Sequence, residues 1–156
     1  MILSKMQNIK KATDEFLSRW YSNNPIKSTE GYWYIEDIYS QNILNNNVGE
    51  RIISCYWNND VLLIFSGKDC SLNSIIVCGN YYGKLLGNVS IGDNLIDVHK
   101  IYNFEFYADT LYLMHKDEYD EVIGAEIMTN YLSDYSDLIL DQIILAIGIY
   151  SEQENG

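Results

Sequence analysis

The chain has 156 residues and a mass of 18.1 kDa, the size of one domain that can bury a core without disulfide or metal staples. Hydrophobic residues make up 47% and charged residues 21%, with one Pro and ten Gly, which excludes the disordered, collagen-like and low-complexity classes. The formal net charge of −12 is uneven: residues 1–90 hold eight acidic and eight basic side chains, whereas residues 91–156 hold fourteen acidic residues against Lys100 and Lys116 alone. Such a half repels a phosphate backbone, whose binding needs Lys and Arg, and no direct nucleic-acid binding is expected.

Taken in chain order, the first predicted element is a helix over 5–21. Met6, Ile9, Phe16, Leu17 and Trp20 form its apolar stripe, and Lys10, Lys11, Asp14, Glu15 and Arg19 take the other face. Asn23, Asn24 and Pro25 stop it. Residues 32–39 read as a strand, with Trp33, Ile35 and Asp37 alternating against Tyr34, Glu36 and Ile38, and Asn45, Asn46 and Asn47 mark a loop. Runs at 51–57 and 61–65 flank Asn58, Asn59 and Asp60, a hairpin signal, and 74–78 is a further strand. Asp93 has the place of an N-cap, with Asp97 in the first turn, for a short second helix near 93–102 that turns Leu95, Val98 and Tyr102 inward. Strand-like runs follow at 104–107, 111–116, 121–128 and 142–150.

Strands that run together with few helices predict an α+β fold, in which the N-terminal helix packs on a mainly antiparallel, twisted sheet. No linker or repeat divides it, so 1–156 reads as a single domain. The longest apolar run, 143–150, spans eight residues where a membrane span needs about 20. The first residues also lack the basic and apolar regions of a secretory signal, so a soluble cytoplasmic protein with no membrane partner is expected.

Chemistry is sparse. Cys55, Cys70 and Cys78 are odd in number and lack C-x-x-C spacing, which predicts buried reduced thiols and no zinc site. His99 and His115 each fall in step with neighbouring apolar residues and read as core-edge side chains. There is no G-x-S-x-G, H-E-x-x-H, P-loop or dinucleotide fingerprint. Asp117, Glu118, Asp120 and Glu121 straddle Tyr119 without the alternation or the central Gly of a calcium loop, and read as a solvated turn or a protein-binding tip. No catalytic residue, metal or cofactor is expected. The fourteen tyrosines, several interleaved with the acidic residues, suit a surface that clasps a basic protein, because Tyr combines a large contact area with a polar handle.

Gly87-Asn88-Val89-Ser90-Ile91-Gly92-Asp93-Asn94-Leu95-Ile96-Asp97-Val98, a strand hairpin, Val122-Ile123-Gly124-Ala125-Glu126-Ile127-Met128-Thr129, then Gln142-Ile143 and an apolar last strand form a layout of their own. Over about residues 83–150 this layout resembles the cytosolic immunity proteins of bacterial polymorphic toxin systems, those of contact-dependent growth inhibition above all. The resemblance implies a protein that binds one cognate toxin domain, often a nuclease, and blocks its active site or substrate groove; it carries over no catalytic residue. Nucleases need basic grooves, so an acidic inhibitor gains both steering and competition with the substrate. Asp109, Asp117, Glu118, Asp120, Glu121, Asp134 and Asp137 are the expected partner-facing carboxylates, with Tyr119 and Tyr135 as anchors. Should that charge serve only solubility, the interface moves to the Tyr-rich N-terminal half. Two further readings stay open: a nucleic-acid mimic that inhibits a DNA-binding enzyme, disfavoured because the carboxylates bunch near turns, and a small enzyme, disfavoured by the missing motifs.

Overall fold

A computed structural model describes residues 6–21, 32–42, 47–58, 60–107, 110–114, 122–131 and 141–150. These hold nine strands and two short helices, an α+β fold made mostly of strands with a helix on its N-terminal side. Among the described residues no helix is long and apolar enough to cross a membrane. The chain divides into two compact units, residues 1–75 and 76–156.

The first unit begins with β1 (Ile9–Lys11), α1 (Asp14–Tyr21), β2 (Trp33–Asn42), β3 (Asn47–Trp57) and β4 (Val61–Ser66), and takes in the start of β5 (Leu72–Cys78). β1 runs parallel to β2, whereas β2–β3 and β3–β4 are antiparallel. The helix expected over 5–21 is therefore shorter, starting at Asp14, and Ile9–Lys11 within that span is a strand. Backbone pairing explains the difference. Trp33 N–H donates to Asn8 O (3.0 Å) and Ala12 N–H to Ile35 O (2.7 Å), so the groups a helix would use internally serve the sheet instead. Thr13 then caps the true helix start, its Oγ1 accepting from Phe16 N–H at 3.2 Å. Ile9, expected on the apolar stripe, is exposed on β1.

The part of the stripe within α1 holds. Phe16 is buried and stacks on Tyr34, with ring centroids 4.2 Å apart and planes 12° from parallel, and meets Tyr56 edge-on at 5.7 Å. Trp20, half-buried, meets Tyr56 edge-on at 5.0 Å. Tyr56 itself is fully buried and donates its hydroxyl to Glu36 Oε2 (2.9 Å). The Asn58 signal forms the expected hairpin: Trp57 pairs with Val61, and Asn58 takes a φ of 49°, which its side chain tolerates. β3 starts at Asn47, earlier than expected, because Asn47 pairs with Asn42 beyond a bulge between Tyr39 and Gln41.

The second unit holds α2 (Leu95–His99), β6 (Asn103–Tyr107), β7 (Thr110–Met114), β8 (Val122–Thr129) and β9 (Ile144–Tyr150). The four strands pair antiparallel in the order β9-β8-β7-β6. The cap of α2 is Asn94, whose Oδ1 accepts from Ile96 N–H at 3.0 Å, and not Asp93. Asp93 is drawn away by two other bonds: its Oδ2 accepts from Ser90 N–H (2.8 Å) and its carbonyl from Ile144 N–H (3.0 Å). Leu95, Val98 and Tyr102 are buried, as the spacing predicts, although the helix ends at His99. Val89, Ile127, Ile144 and Ile147 complete the core of this unit.

Phe16→Ala should destabilise the protein by about 3–5 kcal/mol in urea unfolding, the range for a buried aromatic truncated to Ala. Trp20→Ala should cost less, because part of that ring already faces water. Equal losses for the two would show that burial of Phe16 is not what holds the helix.

Candidate functional site

The nine residues expected to face a partner, Asp109, Asp117, Glu118, Tyr119, Asp120, Glu121, Asp134, Tyr135 and Asp137, all lie outside the described residues, as does His115. What is described is the frame on either side of residues 132–140. Asn130 N–H donates to Ile143 O (3.2 Å), Asn130 Oδ1 accepts from Ile143 N–H (2.8 Å), and Asn130 Nδ2 donates to Asp141 O (3.1 Å). Next to it, Gln142 is buried and donates from Nε2 to Thr129 Oγ1 (2.9 Å), and that hydroxyl donates to Tyr131 O (2.9 Å). The chain thus leaves β8 and re-enters β9 at points pinned together by side-chain amides, and a buried amide is stable only when so paired.

One carboxylate inside this unit is unusual. Glu126 on β8 lies across Gly148 on β9, its direct partner in register; a Cβ built on Gly148 would come within 2.7 Å of Glu126 Cγ. Glycine leaves the room that the side chain fills. The carboxyl is partly desolvated there, and burial raises its pKa above the ordinary Glu value.

In the first unit, the sheet face opposite α1 carries a shallow groove of about 600 Å³ lined by Ile9, Lys11, Ile35, Asp37, Tyr39 and Arg51. Alternation along β2 puts Tyr34 against the helix and Ile35, Asp37 and Tyr39 into the groove. Arg51, opposite Tyr39 in register, binds Asp37 through both nitrogens, Nε to Oδ1 at 2.8 Å and Nη2 to Oδ2 at 2.6 Å. Those hydrogen bonds hold the Asp37 carboxyl below its ordinary pKa and raise that of Arg51. Gly67 lets the arginine lie flat, since a Cβ there would meet Arg51 Cγ at 2.4 Å. The groove offers apolar walls, a neutralised ion pair, Lys11 and an exposed Tyr39, which suits a polypeptide more than a reacting small molecule. From sequence this half is the interface only if the C-terminal charge serves solubility, and no groove residue is singled out; Asp37 on an otherwise apolar strand parity is the available signal, but its pairing with Arg51 needs the β2–β3 register.

The thiols give no nucleophile at Cys55, which is fully buried and whose pKa burial pushes up to about 11, so it stays protonated. Cys70 and Cys78 are half-buried, in contrast to the expectation of burial for all three. Among the described residues no cluster of three His, Cys, Asp or Glu could hold a metal ion. No family model, curated protein or solved structure matches the chain.

The raised pKa of Glu126 has a signed consequence. The folded state holds the Glu126 proton more tightly than the unfolded chain, so its contribution is fully present below the ordinary value of 4.5 and is lost as pH rises through the folded pKa. Glu126→Gln should therefore raise the thermal midpoint at pH 7, and the gain should close as pH falls to 4. A gain independent of pH would mean that the carboxylate charge is not the cause.

Proposed function

We propose that this protein is a cytosolic immunity protein that binds a basic toxin domain, a nuclease foremost, and neutralises it by covering its active site or substrate groove. The observation that carries the reading is a segregation of charge that follows the division into units. Residues 76–156 hold fourteen acidic side chains against Lys84, Lys100 and Lys116, whereas residues 1–75 hold eight acidic against seven basic. Lys100 is itself engaged by Asp97 at 2.5 Å. Like charges gathered on one unit repel one another and do nothing to specify a fold, so their concentration points outward, to a partner of opposite sign.

Apolar exposure in the same unit supports this. Tyr131, Ile143, Leu145 and Ile149 are all exposed. Leu145 is the extra residue of a bulge, since Met128 pairs with Ala146 and Thr129 with Ile144. Exposed apolar side chains on a unit of strongly acidic composition suit an interface whose rim attracts a basic surface and whose centre excludes water. The N-terminal helix on its largely antiparallel sheet serves in this reading as the scaffold.

Co-expression with the polypeptide encoded by the reading frame immediately upstream should yield a 1:1 complex, and its toxicity should fall. The variant Asp117→Asn, Glu118→Gln, Asp120→Asn, Glu121→Gln should associate more slowly and with a flatter salt dependence, at an unchanged thermal midpoint. Unchanged rates at low salt would assign this charge to solubility and move the interface to the first unit, where the groove over β1, β2 and β3 lies.

A further inference from the structure

Residues 81–89 of the second unit end in a tight turn over 85–89. Leu85 and Val89 pair as an antiparallel bridge, Leu85 N–H donating to Val89 O at 2.8 Å and Val89 N–H to Leu85 O at 3.0 Å. Its root is fixed in the core, since Val89 has no exposed surface. Its turn is closed by Asn88 N–H donating to Leu85 O at 3.1 Å, across two consecutive residues of positive φ, Leu86 at 50° and Gly87 at 76°.

That φ pattern is the one a type I′ turn requires, and its first central position favours Asn, Asp or Gly. Gly87 adopts it freely. Leu86 adopts it against the crowding of its own Cβ, and bulky residues are rarely held there without a reason. Leu86 also leaves 46% of its surface exposed, so much of its apolar side chain is not used in packing. It is doubly the wrong residue for folding. Nearby, Tyr82 is 92% exposed, the highest value among the exposed large apolar side chains described. The backbone beside it is held by Tyr81, whose ring lies so close over Gly83 that a Cβ there would come within 2.3 Å. Leu86 is thus presented on a turn already closed by hydrogen bonds, which lowers the ordering cost of binding, and Tyr82 stands four positions before it.

Charge selects what they meet. A second copy would bring its own net charge of −12, and an anionic lipid surface would repel the same carboxylates. The loop itself carries one charge, Lys84, so attraction comes from the rest of the unit and the loop supplies apolar contact. We propose that residues 81–89 are an anchor loop that seats Tyr82 and Leu86 in an apolar recess of a basic protein domain, with the acidic side chains of the same unit steering the encounter. This rests on the immunity reading and deepens it by naming the contact that sets the lifetime of the complex.

The test uses full-length protein and a purified, inactivated form of the upstream-encoded domain, with rates measured by surface plasmon resonance and stability by thermal unfolding. Tyr82→Ala and Leu86→Ala should each raise the off-rate about tenfold or more, with association rate and salt dependence little changed. Leu86→Asn, at ease with positive φ, should weaken binding as much and yet raise the thermal midpoint by about 2–4 °C. Wild-type off-rates in all three variants would overturn the anchor and leave the immunity reading standing. If the wild-type protein does not bind the domain, the immunity reading fails and the anchor with it. A midpoint for Leu86→Asn at or below that of wild type would show that Leu86 serves the fold, and a wild-type homodimer abolished by Tyr82→Ala would assign the loop to self-association; either result overturns the proposal.

Discussion

The first unit depends on the burial of Tyr56. Its ring meets Phe16 and Trp20 of α1 in T-shaped pairs, and among the described residues the aromatic contacts of the helix run through it and its neighbour Tyr34. Its hydroxyl would be a costly orphan at that depth without Glu36, which accepts its proton across the β2–β3 pair. One side chain therefore couples helix docking to strand register. The opposite sheet face follows from the same register, because fixing Tyr34 beneath the helix places Ile35, Asp37 and Tyr39 on the other side, where Asp37 finds Arg51.

The second unit is organised around pinned backbone more than around aromatic stacking. Asn130, Gln142 and Thr129 tie the end of β8 to the start of β9, and Asn94, Asp93 and Ser90 tie α2 and the preceding turn to the same strand start. Ile144, with no exposed surface, sits where these bonds converge. This fastening lets the unit bear a large excess of negative charge, since its stability draws on apolar burial and short-range hydrogen bonds that like-charge repulsion does not reach. It also lets the unit tolerate two features that fold stability alone would remove, the desolvated Glu126 over Gly148 and the positive φ of Leu86.

Expectation and structure part company where local pattern competes with pairing. The stripe from Met6 to Trp20 has helical spacing throughout, yet Ile9–Lys11 is a strand, because Asn8 and Ala12 exchange hydrogen bonds with Trp33 and Ile35, more than twenty residues away. Asp93 is a sound cap by composition, and Asn94 takes the role because Ser90 N–H engages the Asp93 carboxylate while Ile144 N–H on β9 engages its carbonyl. The groove at Arg51 was illegible for a similar reason: an Asp and an Arg fourteen positions apart become partners through a register, and Gly67 becomes the floor beneath Arg51 through a turn. The nine carboxylates and tyrosines chosen for the partner surface lie outside the described residues, so their choice still rests on charge and composition.

The sequence by itself determined the α+β class, the hairpin at Asn58, the inward set Leu95, Val98 and Tyr102, and the concentration of negative charge toward the C-terminus. Each is a local or additive property: periodicity, turn chemistry and a count of charges need no knowledge of what lies opposite. Only the tertiary structure decided that 9–11 is a strand, that Asp37 and Arg51 neutralise each other, that Glu126 rests on Gly148, and that a partly exposed leucine occupies a turn position that favours Asn or Gly. Those facts depend on which backbone groups find partners at long range and on how closely two strands approach, quantities set by the folded packing and carried by no single stretch of the chain.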